Sequence, residues 1–378
     1  MTGGCLHHDI TIDVEHIRQN YLCDDVRTIL KGIHPEWFTE SIEHRIKSKV
    51  FSGGISNQLY GYYLDQLTED AVLIRIYGVG TEHFTDRPLG NKIIMMLHER
   101  GLGPPLYATF NNGSVYGYVP GKTLDNDSLR KPHIRKLIAE EIVKIQSVTL
   151  DDRDRKPALW DRMWTFWENG PDSSVNNPEQ NDKLWASIPP KHVLLQEMNA
   201  TRAHLEHVDS QIVFCHNDLV THNIVYNKDN ETVTFIDYEF AMYNPEHYEL
   251  GNHFNEYAGL EDLDFSRIPD KAYQIDWLRH YLQQKAKCQG RSPNDVTDCD
   301  VERCYVLTNK FTLASDLLCG LWALAQTKQS LIDFGYLEYA KKMFDHYFSR
   351  KDELFALSVH EDKQDQGMCD LRSKVERI

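Results

Sequence analysis

Apolar residues follow mostly strand spacing before Pro120 and mostly helical spacing after it, and that change predicts the architecture. Lys49 to Leu64 is read as two strands around the Gly53-Gly54 turn, and Val, Leu, Ile and Tyr cluster from Ala71 to Tyr77 as a third strand. Arg87 to Arg100 carries Ile93, Ile94 and Leu97 at helical spacing, and Gly101 supplies a C-terminal stop. Strand signals resume at Leu106 to Phe110. Asn112-Gly113 then separates that segment from Val115 to Val119, a hairpin signal because such a turn calls for positive φ. Beyond Pro120-Gly121 the period is helical: Pro132 to Val148, Lys191 to His207, Lys271 to Lys285, Val301 to Gln326 and Tyr336 to Phe348. Asn169 to Asp182 reads as a surface loop and the segment after Leu357 as a frayed tail. Sheet first and helices second is an α+β, two-lobed arrangement: residues 1–120 form a small antiparallel-sheet lobe, and residues 121–378 a large helical one.

Composition narrows the function class. The 378 residues are 41% hydrophobic and 26% charged, ordinary for a globular protein, and no run of roughly eighteen apolar residues offers a membrane span. Met1 to Asp9 lacks the order of a secretory signal, so a cytoplasmic protein with no integral membrane segment is expected. Eight scattered cysteines without a CxxC pair argue against a disulfide framework or structural zinc. A net charge of −16 disfavours nucleic acid as a partner and suits a cationic small molecule better.

The chemistry concentrates in Ile212-Val-Phe-Cys-His-Asn-Asp-Leu-Val-Thr-His-Asn223 and Val233-Thr-Phe-Ile-Asp-Tyr-Glu239. Two apolar strands each run into an aspartate, and an asparagine follows the first by five residues. Phosphoryl transfer from ATP needs an oriented acceptor hydroxyl and Mg²⁺ held by oxygen ligands. Asp218, Asn223 and Asp237 reproduce the order of catalytic base and metal ligands in protein kinases. A plain β-turn with solvated carboxylates would explain His-x-Asp alone, but not the joint pattern. His216, beside Asp218, is read as a packed support.

These segments, with Tyr243-Asn and Leu250-Gly-Asn-His-Phe-Asn-Glu256, resemble the choline/ethanolamine kinases from about Lys49 to Phe348. Gly251-Asn-His-Phe-Asn-Glu-Tyr-Ala-Gly259, Phe110-Asn-Asn-Gly113 and Val119-Pro-Gly121 are more similar to the branch acting on ethanolamine. The resemblance implies a protein-kinase-like fold, Mg-ATP as donor and phosphorylation of an amino alcohol. It makes Asp218 the catalytic base and Asn223 and Asp237 the Mg²⁺ ligands. It also makes Ser52, Gly53, Gly54, Ser56 and Asn57 the loop over the ATP phosphates, where glycines allow backbone N–H groups close approach. Arg75 takes the phosphate-binding position on the third strand, and a guanidinium can chelate two phosphate oxygens. The helix opening at Asp86-Arg87-Pro88 lacks the acidic residue usual after that pair in the family, which leaves the ion-pair partner of Arg75 open.

A quaternary ammonium is held best by aromatic faces, a primary ammonium by oxygen acceptors. The resemblance places Trp322 and Tyr339 in a cation site, with Glu256 as its carboxylate. Cys319 stands in Ala314-Ser-Asp-Leu-Leu-Cys-Gly-Leu-Trp322 where an aromatic is usual, which weakens a cage for choline. Asp316, three residues before Cys319 on a helix, is expected to add an acceptor for a primary ammonium; capping or a solvent-facing role is the alternative. A choline or dual-substrate kinase, an aminoglycoside-kinase-like enzyme and an inactive kinase-like binding protein are the rival readings.

Overall fold

Strand register and helix packing account for where the conspicuous glycines and carboxylates fall. The computed structural model describes residues 5–51, 57–78, 86–150, 155–172, 182–330 and 334–359. The candidates Ser52, Gly53, Gly54 and Ser56 lie outside these residues, as do most of the expected loop at Asn169 to Asp182 and of the tail after Leu357. In chain order the strands are β1 (Leu6–His8), β2 (Ile46–Phe51), β3 (Asn57–Leu64), β4 (Val72–Tyr77), β5 (Leu106–Phe110), β6 (Gly113–Gly117), β7 (Lys122–Thr123), β8 (Ile212–Cys215), β9 (Ile224–Asn227), β10 (Thr232–Phe235) and β11 (Met242–Pro245).

The chain divides into two compact units. The first takes Met1–Leu124, His222–Phe240 and Gln329–Phe334, and the second Asp125–Thr221, Ala241–Lys328 and Gly335–Ile378. The expected break near Pro120 lies four residues before the end of the first segment, and the hairpin carrying Asn223 and Asp237 joins the sheet-rich unit.

In the first unit six strands run in the order β1-β5-β6-β4-β3-β2. All pair antiparallel except β1, which adds to β5 as a parallel edge not foreseen from the sequence. One face packs on the N-terminal helices Val14–Gln19 and Asp24–Ile33, where Ile17, Val26, Ile29 and Leu30 bury against Tyr60, Tyr62, Ile74 and Val115. The expected hairpin at Asn112-Gly113 is present as β5–β6, but for a different reason. Neither residue has positive φ. Gly113 is required by crowding, since a Cβ there would meet the Phe110 ring at 2.1 Å and the Arg75 carbonyl oxygen at 2.2 Å. Gly101 does take φ 70°. Its N–H donates to the His98 carbonyl and that of Leu102 to Leu97, which closes the helix Arg87–Glu99. A smaller antiparallel sheet, β10-β9-β7, completes this unit.

Among the described residues the second unit is helical apart from the antiparallel pair β11-β8. Its long helix Asp298–Gln329 contains the expected Val301 to Gln326 and extends it at both ends. The short helix Glu246–Asn255 is buried at all ten positions although its sequence is mostly polar. It lies close to the long helix because position 251 is glycine: a Cβ there would stand 2.7 Å from the Thr308 carbonyl oxygen and 3.0 Å from the Thr312 nitrogen.

Candidate active site

The sequence candidates fall into two groups, one in each unit. In the first unit Arg75 sits mid-strand on β4, opposite Leu59 and Ser114, with its side chain only 10% exposed. The guanidinium donates through Nη1 to Asp237 Oδ1 at 2.6 Å and through Nη2 to Glu239 Oε2 at 2.6 Å. These two carboxylates are the partners that could not be named from the helix after Asp86. Burial opposes the charge on Arg75, and Asp237 and Glu239 restore it, holding the guanidinium firmly protonated. Asp237 follows β10 with φ 64°, a left-handed backbone that aspartate adopts more readily than most residues. Asn223, 7% exposed, precedes β9, and its carbonyl accepts from the Ile236 N–H at 2.9 Å. The β9–β10 pairing therefore brings Asn223 and Asp237 to one end of a hairpin. Asn57 begins β3, paired with Tyr77.

In the second unit Asp218 stands just past β8, and the turn that presents it is held from beneath. Glu249, 1% exposed, accepts the His216 N–H at 2.6 Å and the Asn217 N–H at 3.2 Å. Asn217, at φ 66°, accepts from Asn244 Nδ2 at 2.7 Å and donates to the carbonyls of Cys215 and Met242. His216 is fully buried in this turn. Burial pushes the Glu249 carboxyl up to about 7, against the lowering effect of the two N–H donors. Glu249→Ala should leave both donors without an acceptor, at about 1–3 kcal/mol for each. Urea unfolding together with kcat checks this; an unchanged unfolding midpoint would mean that the turn does not depend on Glu249.

Glu256 follows the helix Glu246–Asn255 and is half-buried. Its carboxyl is pushed up to about 8, by burial first and by Asp218 second. A positive charge beside this carboxyl would favour its ionised form. Tyr339 is buried and meets Trp322 edge-on, with centroids 6.1 Å apart and planes at 83°. Cys319 and Trp322 are half-buried, one turn apart on the long helix. Asp316 is fully buried. Its Oδ1 accepts from Asn255 Nδ2 at 3.0 Å and lies 3.1 Å from His346 Nδ1, while Arg350 Nη1 stands 3.8 Å from Oδ2. His346 in turn stacks on Phe265 at 3.8 Å.

No group of three or more His, Cys, Asp or Glu side chains able to hold a metal occurs among the described residues. Magnesium needs no such cage. It takes one or two protein carboxylates and completes its shell with water and substrate phosphates, so the all-oxygen pair Asn223 and Asp237 fits it. Sequence reasoning missed Glu239 and Glu249. For Glu239 the available signal was a second carboxylate two residues beyond Asp237; for Glu249 it was an acid in a polar helix that carries the most specific string of the chain.

Three comparisons bear on this arrangement. A family model described as choline/ethanolamine kinase matches residues 48–348. Ethanolamine kinase 2 of Mus musculus is 38% identical over 343 residues, covering 91% of this chain and 85% of the relative. Among solved structures, an ethanolamine kinase of Plasmodium vivax superposes with TM-score 0.71 at 20% identity, covering 91% of this chain and 97% of its own. A choline kinase of Cryptosporidium parvum gives TM-score 0.70 at 22% identity, covering 92% and 99%. The expected protein-kinase-like α+β fold is thereby shown. With the match spanning Arg75, Asp218, Asn223, Asp237, Glu256 and the aromatic pair, the chain belongs to the choline/ethanolamine kinase family.

Proposed function

We propose that this protein transfers the γ-phosphoryl group of ATP to the hydroxyl of ethanolamine, the first step toward phosphatidylethanolamine. Ethanolamine is favoured as acceptor because the curated relatives, at 34–38% identity over most of the chain, carry ethanolamine kinase names. The observation that carries the reading is that Asp218 and Glu256 act on one another in the second unit, Asp218 helping to raise the Glu256 carboxyl, with the Trp322–Tyr339 ring pair on the two last helices. Two such carboxyl groups suit an ammonium bearing a hydroxyl.

In this reading Asp218 accepts the hydroxyl proton as the oxygen attacks, and Glu249 keeps the Asp218 turn in place through the His216 and Asn217 N–H groups. Glu256 gives up its proton and pairs with the acceptor ammonium. Asp316, with Oδ1 committed to Asn255 and His346, supports that segment. Asn223 and Asp237 would hold Mg²⁺, which when bound neutralises charge on the transferring phosphates. Arg75, kept aligned by Glu239, offers a fork for phosphate oxygens, and the loop containing Ser52, Gly53, Gly54, Ser56 and Asn57 offers backbone donors. A structural neighbour, a choline kinase of Streptococcus pneumoniae, has been solved with AMP, in keeping with an adenine nucleotide as donor. No described helix is long and apolar enough to cross a membrane, and we place the enzyme in the cytoplasm, where ATP and small amino alcohols meet.

The test is kcat/KM for ethanolamine and choline with Mg-ATP as a function of pH. Because an ammonium favours the ionised form of Glu256, acceptor affinity should rise as pH increases through about 8. For choline it should then level off, while for ethanolamine it should fall again once the amine itself loses its proton. Glu256→Gln should abolish the rise. Ethanolamine should give the higher kcat/KM at neutral pH; phosphorylation of neither amino alcohol would remove the reading.

A further inference from the structure

The helices Pro132–Gln146 and Lys271–Cys288 pack against each other in the second unit and leave between them a cleft of about 410 Å³. On the second helix Asp276, Arg279, His280 and Gln283 fall at i, i+3, i+4 and i+7, so a single stripe lines the cleft. Arg135 and Lys136 line it from the first helix. The residues assigned above to phosphoryl transfer and to the acceptor lie elsewhere. The cleft thus gathers three permanent cations and an imidazole against one carboxylate, in a chain whose 57 acidic residues outnumber its 41 basic ones.

These cations are held in place by partners that an anion can displace. Arg135 is 16% exposed, lies over the Tyr273 ring at 4.7 Å and pairs with Asp276, which is 62% exposed. Arg279 pairs with Asp298 at 2.7 Å, and that carboxylate is 92% exposed. Ion pairs whose acid stands in water contribute little, so exchanging the acid for a better-matched anion costs little. His280 Nε2 lies 3.1 Å from Glu140 Oε1. Burial, and then Lys136 and Lys287, hold its imidazole below the ordinary range against the pull of Glu140. Two ammonium groups therefore act on one ring in the cleft wall, a surplus of positive charge that an anion relieves. The wall behind is firm: Trp277 is 2% exposed, edge-on to Phe254 at 5.2 Å and stacked on Tyr281 at 6.0 Å. Its indole N–H, which can only donate, has no acceptor among the described residues.

We propose that this cleft is a second anion site, which binds a soluble phosphate ester carrying two or more negative charges. The guanidinium forks of Arg135 and Arg279 match phosphate oxygens in pairs, and Lys136 adds a point charge. Gln283, at the end of the stripe, offers an amide that can donate or accept toward the rest of the ester. The space suits a small molecule, since pockets for such ligands begin at about 300 Å³.

The experiment is equilibrium dialysis of the full chain against radiolabelled pyrophosphate without Mg²⁺, in wild type, in Arg135→Gln/Lys136→Gln, in Arg279→Gln and, as a surface control, in Arg18→Gln. Wild type should bind one pyrophosphate per chain more than the double variant, because any binding at Arg75 is common to both. Arg279→Gln should weaken that site about tenfold or more, the loss of one fork on a phosphate. Arg18→Gln, which breaks an exposed pair with Glu15, should leave it within about 2-fold. Equal binding by wild type and the double variant, or an equal loss in Arg18→Gln, overturns the assignment. Displacement by inorganic phosphate, by phosphoethanolamine and by a nucleoside triphosphate separates the sources of the ester, and whichever displaces best names it. Chloride displacing as well as any of them at equal ionic strength overturns the proposal. A measurement on the unmodified protein guards against a double variant that does not fold: acetylation of lysines followed peptide by peptide by mass spectrometry. Pyrophosphate should slow acetylation of Lys136 several-fold and leave the exposed Lys31 of the helix Asp24–Ile33 unaffected. Absence of protection at Lys136 overturns the site even if the variants bind less.

Discussion

Asp218→Asn should lower kcat by roughly 10²–10⁴-fold, the usual contribution of a positioned general base, while KM for Mg-ATP stays within a few-fold of wild type. Asparagine keeps the shape and can still receive a hydrogen bond from the acceptor hydroxyl, but it cannot take the proton. The substitution leaves in place the backbone N–H groups of His216 and Asn217 through which Glu249 holds the turn. A second readout ties the effect to this site. Asp218 is one of the two causes that raise the Glu256 carboxyl to about 8. Removing its charge lowers that value, so the rise in acceptor affinity with pH should move to lower pH in Asp218→Asn. Loss of turnover with the pH step left in place would separate Asp218 from the ammonium pocket. A fall in kcat of less than 10-fold would remove it from the role of base.

The residues of that first prediction were legible because their pattern is local. Asp218 and Asn223 are five apart, and Asp237 follows an apolar strand that pairs with the strand after Asn223. Glu239 was not, because its meaning depends on Arg75, 164 residues away, and no spacing rule reaches that far. Glu249 is a similar case. Its hydrogen bonds to His216 and Asn217 cross from one element to another, and the helix that carries it shows no apolar stripe because every face is buried.

The fold shows the same division. The long helices were readable from period; their ends moved by two or three residues, except that the last runs on past Phe348 to Ala356. The helix Asp24–Ile33 did carry a signal, with Val26, Ile29, Leu30 and Ile33 at i, i+3, i+4 and i+7, yet no element was assigned there. β1 could not be read this way, since it has only three residues, none of them buried, and exists through its pairing with β5. Gly113 teaches a narrower lesson: the hairpin was placed correctly from Asn-Gly, but the glycine answers to the Phe110 ring and the Arg75 carbonyl, not to a positive φ.

Arg75→Met should have the largest effect on stability and on the nucleotide side together. The guanidinium is the shared partner of Asp237 and Glu239, both at 2.6 Å, and its side chain is 10% exposed. Removing one partner of a largely buried ion pair costs about 3–5 kcal/mol, mostly from the charges left behind. Asp237 is 32% exposed and water can reach it, which puts the expectation near the lower end of that range, at about 3 kcal/mol. KM for Mg-ATP should rise at least tenfold in the same variant, since the fork that would meet phosphate oxygens is gone. Arg75→Lys separates the two contributions. It restores a positive charge, so most of the stability should return, but a single ammonium cannot present two parallel donors to two carboxylates or to two phosphate oxygens. Its KM should therefore remain raised. Urea unfolding and Mg-ATP titration on the three proteins would decide the matter. If lysine restored both quantities, Arg75 would act as a point charge, and the forked geometry seen with Asp237 and Glu239 would have no part in nucleotide binding.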